Sequence, residues 1–381
     1  MTAAPIVPAF ANVSIGPNRV SLLKDGSQAF PAMLAAIASA RSTLCLETYI
    51  LESDETGRRF VRALCERARA GVEVNLLFDD WGSRVTEDLY AQMSEAGVRW
   101  VRFMPVRLGG RWAGALARLR RRNHRKALVV DGEVGFTGGL NISDDYASAD
   151  EGGLGWRDTH VRIEGPAAQE LERLFLETWR RSRGAKLDVA RYRRPQVTGD
   201  GKVRIIGNDF AKDHKDIRKA YVDAMNAAQK RIYLTHAYFL PPNRVLKAMI
   251  RAARRGVEVA VILAATTDVG PVLWAARGLY PRLLKAGVKV FEWEGRVLHA
   301  KTAVVDGNWS TVGSANLDAL SLRSNLEVNA VIRDPHFSQA VERMFVDDLQ
   351  HCVTVTRQML KERGLLERLL TFIAYRLRAW L

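Results

Sequence analysis

The chain has 381 residues, 48% hydrophobic and 26% charged, which fits a globular protein of about two domains. No apolar run is long enough to span a bilayer, which excludes a transmembrane helix, and three cysteines without a C-x-x-C pair exclude a disulfide scaffold. Lys and Arg outnumber Asp and Glu by 57 to 42, so nucleic acid or an anionic membrane surface is the expected partner.

The N-terminal half begins with helix and strand signals in alternation. The start, MTAAPIVPAFANVS, lacks a basic region and contains two prolines, so neither a signal peptide nor a membrane anchor is expected there. Residues 31–41 and 57–70 have the apolar spacing of amphipathic helices, and each is followed by a short apolar strand. This alternation favours an α/β fold with a largely parallel or mixed sheet.

A basic segment follows at residues 107–126, RLGGRWAGALARLRRRNHRK. Cationic and apolar side chains alternate in it, which suits a phospholipid headgroup interface; a solvated or nucleic-acid-binding loop is the alternative. The cationic residues are Arg107, Arg111, Arg118, Arg120, Arg121, Arg122, Arg125 and Lys126, and the apolar ones are Trp112, Leu116 and Leu119.

One pattern occurs twice, about half the chain apart. Residues 123–141 read NHRKALVVDGEVGFTGGLN and residues 298–316 read LHAKTAVVDGNWSTVGSAN, and both match H-x-K-x4-D-x6-G-[GS]-x-N. Flanking segments repeat in the same order, since RARAGVEVNLLFD at 67–79 returns as RAARRGVEVAVILA at 251–264. A duplicated domain is the simplest explanation, with a polar linker near residues 184–202.

Each copy is predicted to form a β-hairpin. The pair Asp131-Gly132 is a two-residue turn signal, and in the resulting register His124 lies opposite Gly139 and Lys126 opposite Thr137. Histidine and lysine are two residues apart, so their side chains share one face of the strand. The glycine-rich segment then returns beside them, and its asparagine opens a helix whose N–H groups favour an anion.

Two such hairpin ends, if they meet, form one site for a phosphodiester. One histidine attacks phosphorus, the other protonates the departing oxygen, and the surrounding donors neutralise the negative charge of the transition state. The predicted catalytic residues are His124, Lys126, His299 and Lys301, and the predicted phosphate-binding residues are Gly138, Gly139, Asn141, Gly313, Ser314 and Asn316.

Other residues near the motifs leave alternatives open. Asp131 and Asp306 complete the pattern and could be catalytic, but their place at the turns favours a structural role. His236 neighbours Tyr238 on a strand that should end near the site, although a structural histidine is favoured there. The remaining histidines lack metal-ligand spacing, so no metal and no cofactor are expected.

The C-terminal residues 364–381, GLLERLLTFIAYRLRAWL, form an amphipathic pattern at 100° per residue. We expect a helix lying in the plane of a membrane interface, and packing on the protein or on a second subunit is the alternative. The apolar arc contains Leu365, Leu366, Leu369, Leu370, Phe372, Ile373, Leu377, Trp380 and Leu381, and the polar arc contains Glu367, Arg368, Thr371, Tyr375 and Arg378.

The duplicated motif resembles the signature of the phospholipase D superfamily, over about residues 17–350. Within the superfamily the chain is most similar to bacterial cardiolipin synthases, of the short type without N-terminal transmembrane helices. The similarity is carried by LETYI with Glu47 and Tyr49, by AYFLPP with Tyr238 and Phe239, and by GSANLDALSLRSNLEVNAVI. The Arg-Ser pair that longer members carry after NLD is replaced here by Ala-Leu-Ser.

The resemblance implies two tandem α-β-α phospholipase D-like domains, related by pseudo-twofold symmetry, with one shared active site at their interface. The expected domains are residues 17–190 and 200–350, followed by an amphipathic helical tail at 351–381.

The resemblance also implies a carboxylate that orients each motif histidine through its far ring nitrogen. Asp158, in WRDTHV, matches this role for His124, and Glu327, in SNLEVN, matches it for His299. An ion pair on the surface or between the halves is the alternative for both.

The implied reaction has two steps. His124 takes the phosphatidyl group from one phosphatidylglycerol and releases glycerol, and a second phosphatidylglycerol then attacks to give cardiolipin, with His299 as acid and base. Phosphatidylethanolamine is a further candidate substrate. The expected partner is an anionic membrane surface, and the expected location is the cytoplasmic face of the bacterial inner membrane.

Three other functions stay open. The first is another phospholipase D-type transphosphatidylase or phospholipid hydrolase, the second a phosphodiesterase acting on nucleic acid, and the third a non-catalytic lipid-binding scaffold. No known nucleic-acid-binding motif stands out, so no nucleic acid is expected as a partner. Both motifs are intact, which argues against a scaffold.

Overall fold

A computed structural model describes residues 9–104, 121–182, 184–192, 201–209, 216–267 and 270–377. Predicted residues Arg107, Arg111, Trp112, Leu116, Arg118, Leu119, Arg120, Arg378, Trp380 and Leu381 lie outside these ranges. Within the described ranges, every helix is too short or too polar to cross a bilayer.

In the described residues of the first half there are eight strands and four α-helices. The strands are β1 (Ala11–Ile15), β2 (Asn18–Lys24), β3 (Thr43–Thr48), β4 (Glu73–Asp79), β5 (Arg99–Phe103), β6 (Ala127–Val130), β7 (Val134–Gly138) and β8 (Thr159–Glu164). The helices are α1 (Asp25–Ser39), α2 (Glu55–Arg69), α3 (Glu87–Glu95) and α4 (Pro166–Arg181).

Eight further strands lie in the part of the second half that the structure describes. They are β9 (Val203–Gly207), β10 (Arg231–His236), β11 (Glu258–Ala264), β12 (Lys289–Trp293), β13 (Lys301–Val305), β14 (Trp309–Gly313), β15 (Val328–Arg333) and β16 (Cys352–Thr354). The helices are α5 (Asp216–Ala227), α6 (Asn243–Arg254), α7 (Gly270–Arg277), α8 (Tyr280–Lys285), α9 (Ala319–Arg323), α10 (Pro335–Leu349), α11 (Arg357–Glu362) and α12 (Leu365–Leu377).

The two sheets share a topology that confirms the duplicated α/β fold. Their orders are β1-β2-β8-β7-β6-β3-β4-β5 and β16-β12-β11-β10-β13-β14-β15-β9, so seven strands of each sheet correspond. In both sheets three strands are parallel, β3-β4-β5 and β10-β11-β12, and the motif hairpin joins them antiparallel. The eighth strands differ: β1 extends one edge of the first sheet, and β16 extends the opposite edge of the second. Residues 351–381 therefore begin with a strand rather than a helix.

Two helices lie between the sheets and bind the halves together. One buried cluster joins Val20 and Ile163 of the first sheet to Val304 and Ile332 of the second, with Phe337 of α10. Another includes α4 together with the first sheet and residues just before β15. Helices α1–α3 cover the outer face of the first sheet, and α5–α8 cover that of the second. The hairpin ends of both halves are thereby held at one interface.

The first predicted helix starts six residues earlier than the sequence signal suggested. The apolar spacing predicted a helix that begins at Pro31, but this residue lies inside α1. The helix begins at Asp25, which has a positive φ of 63° and follows β2 without a loop. Burial of Phe30 and Ala29 against the sheet compensates for the hydrogen bond that proline removes.

Candidate active site

Each motif forms a hairpin whose turn is held by its aspartate. Asp131 and Asp306 have φ of 53° and 52°, and each precedes a glycine with positive φ. The Asp131 carboxylate accepts the backbone N–H groups of residues 41–43, and the Asp306 carboxylate accepts those of residues 229–231. Both side chains fasten the turn to the start of a neighbouring strand. These hydrogen bonds support the structural role that their place at the turns favours over a catalytic one.

The hairpin register is shifted by one residue from the prediction. Glu133 donates its N–H to the Val130 carbonyl at 3.0 Å, which closes the predicted two-residue turn. Glu133 itself is an extra residue on the returning strand, so Thr137 pairs with Ala127 rather than with Lys126. The second hairpin has the same extra residue.

Backbone bridges join the two halves at the histidine of each motif. The His124 N–H donates to the Leu326 carbonyl at 2.9 Å, and the His299 N–H donates to the Arg157 carbonyl at 2.8 Å. A reciprocal hydrogen bond completes each bridge. The start of each hairpin is therefore aligned by the strand that leads into β15 or β8 of the other half.

This crossing decides which carboxylate meets which histidine. Glu327 Oε2 lies 3.0 Å from His124 Nδ1, and Asp158 Oδ2 lies 2.7 Å from His299 Nδ1. The predicted pairing within each half is wrong, because Glu327 and Asp158 directly follow the residues that bridge to the opposite motif. In both rings Nδ1 faces the carboxylate, which leaves Nε2 for a substrate.

Burial sets the electrostatics of these groups. The side chains of Asp158 and Glu327 are fully buried, while those of His124 and His299 are 12% and 9% exposed. Burial lowers the pKa of His124, although the Glu327 carboxylate opposes this shift. Burial also raises the pKa of Asp158 to about 6. A lowered pKa favours the neutral form of His124 near pH 7.

Both motif lysines lie beside their histidines. Lys126 Nζ donates to the His124 carbonyl at 3.0 Å, and Lys301 Nζ donates to the His299 carbonyl. Lys301 Nζ also lies 2.9 Å from His299 Nδ1. In the tautomer in which that nitrogen donates to Asp158, it does not accept a hydrogen bond from the Lys301 ammonium. Burial lowers the pKa of Lys126 to about 7, because removal from water disfavours the charged ammonium.

The small residues of the motif serve packing rather than phosphate binding. A side chain at Gly138 would overlap His160, one at Gly139 would overlap Asp158, and one at Gly313 would overlap Asn329. The Gly139 and Ser314 N–H groups already donate to carbonyls of the neighbouring strands. The Ser314 hydroxyl donates to Glu327. We therefore correct the phosphate-binding assignment of Gly138, Gly139, Gly313 and Ser314.

The motif asparagines do not open long helices. No regular α-helix follows Asn141, and the five-residue α9 starts three residues after Asn316 with Asp318 as its cap. The predicted helix N-terminus for the anion is therefore wrong. Asn141 Nδ2 donates to the Tyr146 hydroxyl at 2.7 Å, whereas Asn316 Oδ1 is buried without a hydrogen-bond partner among the described residues.

Aromatic rings enclose the two histidines differently. The Tyr49 ring meets the His124 ring edge-on at 4.9 Å, and the Lys126 ammonium lies 5.3 Å from the centre of the same Tyr49 ring. The hydroxyl of Tyr146 lies 3.3 Å from His299 Nδ1. Tyr49 belonged to a segment chosen from the sequence, but Tyr146 did not. The second copy has Ser321 at the position that corresponds to Tyr146, so a comparison of the two repeats does not identify this tyrosine as a site residue.

His236 is a structural residue, as favoured from the sequence. It is fully buried, its Nε2 lies 3.4 Å from the Tyr221 hydroxyl, and burial lowers its pKa to about 3. Over the described ranges, no group of three His, Cys, Asp or Glu side chains could hold a metal ion.

Two cations of the basic segment, Arg122 and Arg125, are buried rather than lipid-facing, whereas Arg121 is exposed. Arg122 donates to the Asp79 carboxylate, and both side chains are almost fully buried. Arg125 donates to the carbonyls of Leu174 and Asn208 and to the Thr178 hydroxyl. Arg122 and Arg125 therefore hold the motif strand in place, and their assignment to a membrane surface is wrong.

Comparison with known proteins adds independent information. A family described as "Cardiolipin synthase, PLD-like domain" matches residues 33–179 and 221–349. The cardiolipin synthase of Geobacillus kaustophilus is 34% identical over 350 residues, 91% of this chain and 69% of the relative. Cardiolipin synthase B of Shigella flexneri is 35% identical over 362 residues, 92% of this chain and 84% of the relative.

A solved structure has the same fold at low identity. Phosphatidylserine synthase of Haemophilus influenzae superposes with a TM-score of 0.73 at 14% identity, covering 94% of this chain and 93% of the other. Polyphosphate kinase of Porphyromonas gingivalis gives a TM-score of 0.59 at 13% identity, covering 94% of this chain and 52% of the other. Both likenesses concern the architecture alone.

Proposed function

The chain belongs to the cardiolipin synthase family with phospholipase D-like domains, and from this premise we propose that it joins two phosphatidylglycerol molecules into cardiolipin and glycerol. It is a phosphatidyltransferase with a catalytic unit built from two repeats. The observation that carries the proposal is the pair of histidines, each held by a carboxylate of the opposite half.

In the first step, His124 Nε2 attacks the phosphorus of phosphatidylglycerol. The bond from phosphorus to the glycerol oxygen breaks, and protonated His299 gives its proton to that oxygen, so glycerol leaves. Glu327 accepts the hydrogen bond from His124 Nδ1 and stabilises the positive charge that the phosphorylated ring carries. Lys126 and Lys301 neutralise the phosphoryl oxygens.

In the second step, neutral His299 takes the proton from a hydroxyl of a second phosphatidylglycerol. That oxygen attacks phosphorus, the bond to His124 Nε2 breaks, and cardiolipin forms. Asp158 supports His299 while it is protonated. Water in place of the second lipid would give phosphatidic acid, which is the hydrolase alternative. Phosphatidylethanolamine is a further candidate donor, from which ethanolamine would leave in place of glycerol.

The assay that tests this function supplies three substrates to purified full-length protein. With phosphatidylglycerol vesicles we expect equal amounts of cardiolipin and glycerol, and we expect product formation to persist with EDTA, since the basic residues of the site provide the charge stabilisation. Duplex and single-stranded DNA should stay intact. Cleavage of DNA without lipid products would contradict the proposal, and phosphatidic acid as the main lipid product would favour a hydrolase.

We further propose that α12 attaches the enzyme to the membrane as a peripheral protein, on the cytoplasmic face of the bacterial inner membrane. Six apolar side chains of the predicted arc project into solvent: Leu365, Leu366, Leu369, Phe372, Ile373 and Leu377, with exposed fractions of 45–82%. On another side of the helix, Glu367 pairs with Arg277 and Tyr375 packs against Gly278, so that side contacts the protein. An unpartnered apolar face on a helix that is otherwise docked supports insertion into an interface.

The double variant Leu366→Gln/Leu369→Gln tests this attachment. We expect roughly tenfold weaker sedimentation with lipid vesicles, because two leucines lose their burial in the bilayer. The matched control is Val346→Gln/Val353→Gln, which changes two other exposed apolar side chains. The melting temperature of both variants should stay within a few degrees. Unchanged vesicle binding, or equal loss in the control, would contradict the attachment.

A further inference from the structure

A groove of about 690 Å³ lies on the outer side of the second half, between α7–α8 and α11–α12. It contains no residue of either motif. Its lining consists of Arg277, Gly278, Pro281, Lys285, Arg357, Leu360, Lys361, Arg363, Arg368, Thr371, Phe372 and Tyr375. Half of these residues are cationic and none is acidic.

Two of the six cations are neutralised and four are available. Arg277 and Arg363 share the carboxylates of Glu292 and Glu367. No carboxylate within the described ranges pairs with the remaining cations, which are Lys285, Arg357, Lys361 and Arg368. Arg357 donates one hydrogen bond to a backbone carbonyl, at 3.3 Å. Charge of one sign, gathered without counter-charge in a concave site, attracts an anion.

The wall formed by α12 combines apolar surface with an unused hydroxyl. Thr371 Oγ1 is buried without a hydrogen-bond partner among the described residues. Phe372 lines the groove and is 57% exposed, so it also belongs to the apolar face of the helix. Arg368 precedes Phe372 by one helical turn, and the Arg376 guanidinium lies 5.3 Å from the centre of the Phe372 ring on the other side. The cationic groove is therefore continuous with the apolar face of α12.

We infer that this groove binds the phosphate headgroup of an anionic phospholipid, at a site separate from the active site. The free cations hold the phosphate, and the acyl chains leave the groove across Phe372 into the bilayer. This inference rests on the proposed membrane attachment of α12. It adds to that attachment a site that recognises the headgroup of one class of lipid. Nucleic acid is a poorer fit, because the groove opens onto apolar rather than basic surface.

The variant Lys361→Gln/Arg368→Gln tests the site, with binding measured on vesicles of phosphatidylglycerol mixed with phosphatidylcholine. We expect roughly 25-fold weaker binding, since each cation near an anionic surface contributes about fivefold. Binding to pure phosphatidylcholine vesicles should not change. The matched control is Arg69→Gln/Arg254→Gln, which removes two exposed cations at the ends of α2 and α6. Equal losses in both variants would show diffuse attraction and overturn the inference.

Two further measurements identify the ligand and separate this inference from the proposed function. Transfer with short-chain phosphatidylglycerol, which needs no membrane, should proceed at the wild-type rate in Lys361→Gln/Arg368→Gln. If the wild-type protein shows no transfer with short-chain phosphatidylglycerol, the proposed function is contradicted. The vesicle-binding measurement would still test the groove on its own. Inorganic phosphate should compete only weakly with the vesicles. Full displacement by millimolar phosphate, or tighter binding of DNA than of vesicles by the groove, would overturn the assignment to a lipid.

Discussion

Replacing His124 with alanine should abolish cardiolipin formation and prevent any covalent phosphatidyl-enzyme from forming. Alanine has no ring nitrogen to attack phosphorus, and His299 is held by a different carboxylate for a different role in the proposed reaction. We expect a loss of at least about 10³-fold in transfer, the scale of a missing nucleophile or general acid. Intact protein mass spectrometry, after exposure to a donor lipid, measures the adduct directly.

Replacing His299 with alanine should give a different phenotype. Transfer should again fall by about 10²–10⁴-fold, because glycerol departs without a proton. A donor with a good leaving group, such as a p-nitrophenyl ester, needs no such proton, so the adduct on His124 should still accumulate. The exposed His336 provides the control, since His336→Ala should change neither step. An adduct on His299 in the wild type would reverse the proposed roles.

Several features of the site could be predicted from one sequence because they are local. The spacing of histidine and lysine and the Asp-Gly turn are set within a few residues, and both motifs form hairpins as expected. The register was missed because the extra residue at Glu133 carries no signal of its own. A bulge next to a tight turn needs no particular residue type, yet it shifts every cross-strand residue pair of the hairpin by one position.

The carboxylate pairing could not be predicted for a different reason. Asp158 is 34 residues from His124 in the chain but 141 from His299, and the resemblance was interpreted as pairing each histidine with the carboxylate downstream of it in the same half. The contact is made across the interface between halves, which only the docking of the two sheets determines. The helix expected after Asn141 failed similarly, because Asn141 is engaged by Tyr146 and by the Ile50 N–H.

The elements that the sequence assigned to a membrane surface were predictable by periodicity only in part. The apolar arc of α12 was identified correctly, but the choice between a membrane and the protein core depends on what the opposite face touches. For Arg122 and Arg125 the basic composition was misleading. Both guanidinium groups are satisfied internally, by the Asp79 carboxylate and by backbone carbonyls respectively.

The crossed pairing predicts that each carboxylate controls the chemistry of the opposite motif. Glu327→Gln should slow phosphorylation of His124 by about 10²–10⁴-fold, because a glutamine cannot stabilise the charged ring as a carboxylate does. Asp158→Asn should leave that step within a few-fold of wild type when the donor is the p-nitrophenyl ester. It should instead slow transfer to phosphatidylglycerol, where His299 must accept a proton. The burst of nitrophenol and the later steady rate measure the two steps separately.

The pH dependence distinguishes this positioning role from a structural one. Neutral His124 is the nucleophile, so the burst rate falls at low pH as His124 becomes protonated. Glu327 opposes the lowering of the His124 pKa by burial, so in Glu327→Gln that pKa falls further and the acidic limb moves to lower pH. Asp158→Asn should leave the limb in place. A shift of the limb in Asp158→Asn but not in Glu327→Gln would mean that each carboxylate acts on the histidine of its own half. Equal losses in both variants, with lowered melting temperatures and unshifted limbs, would mean that the two carboxylates only hold the interface together.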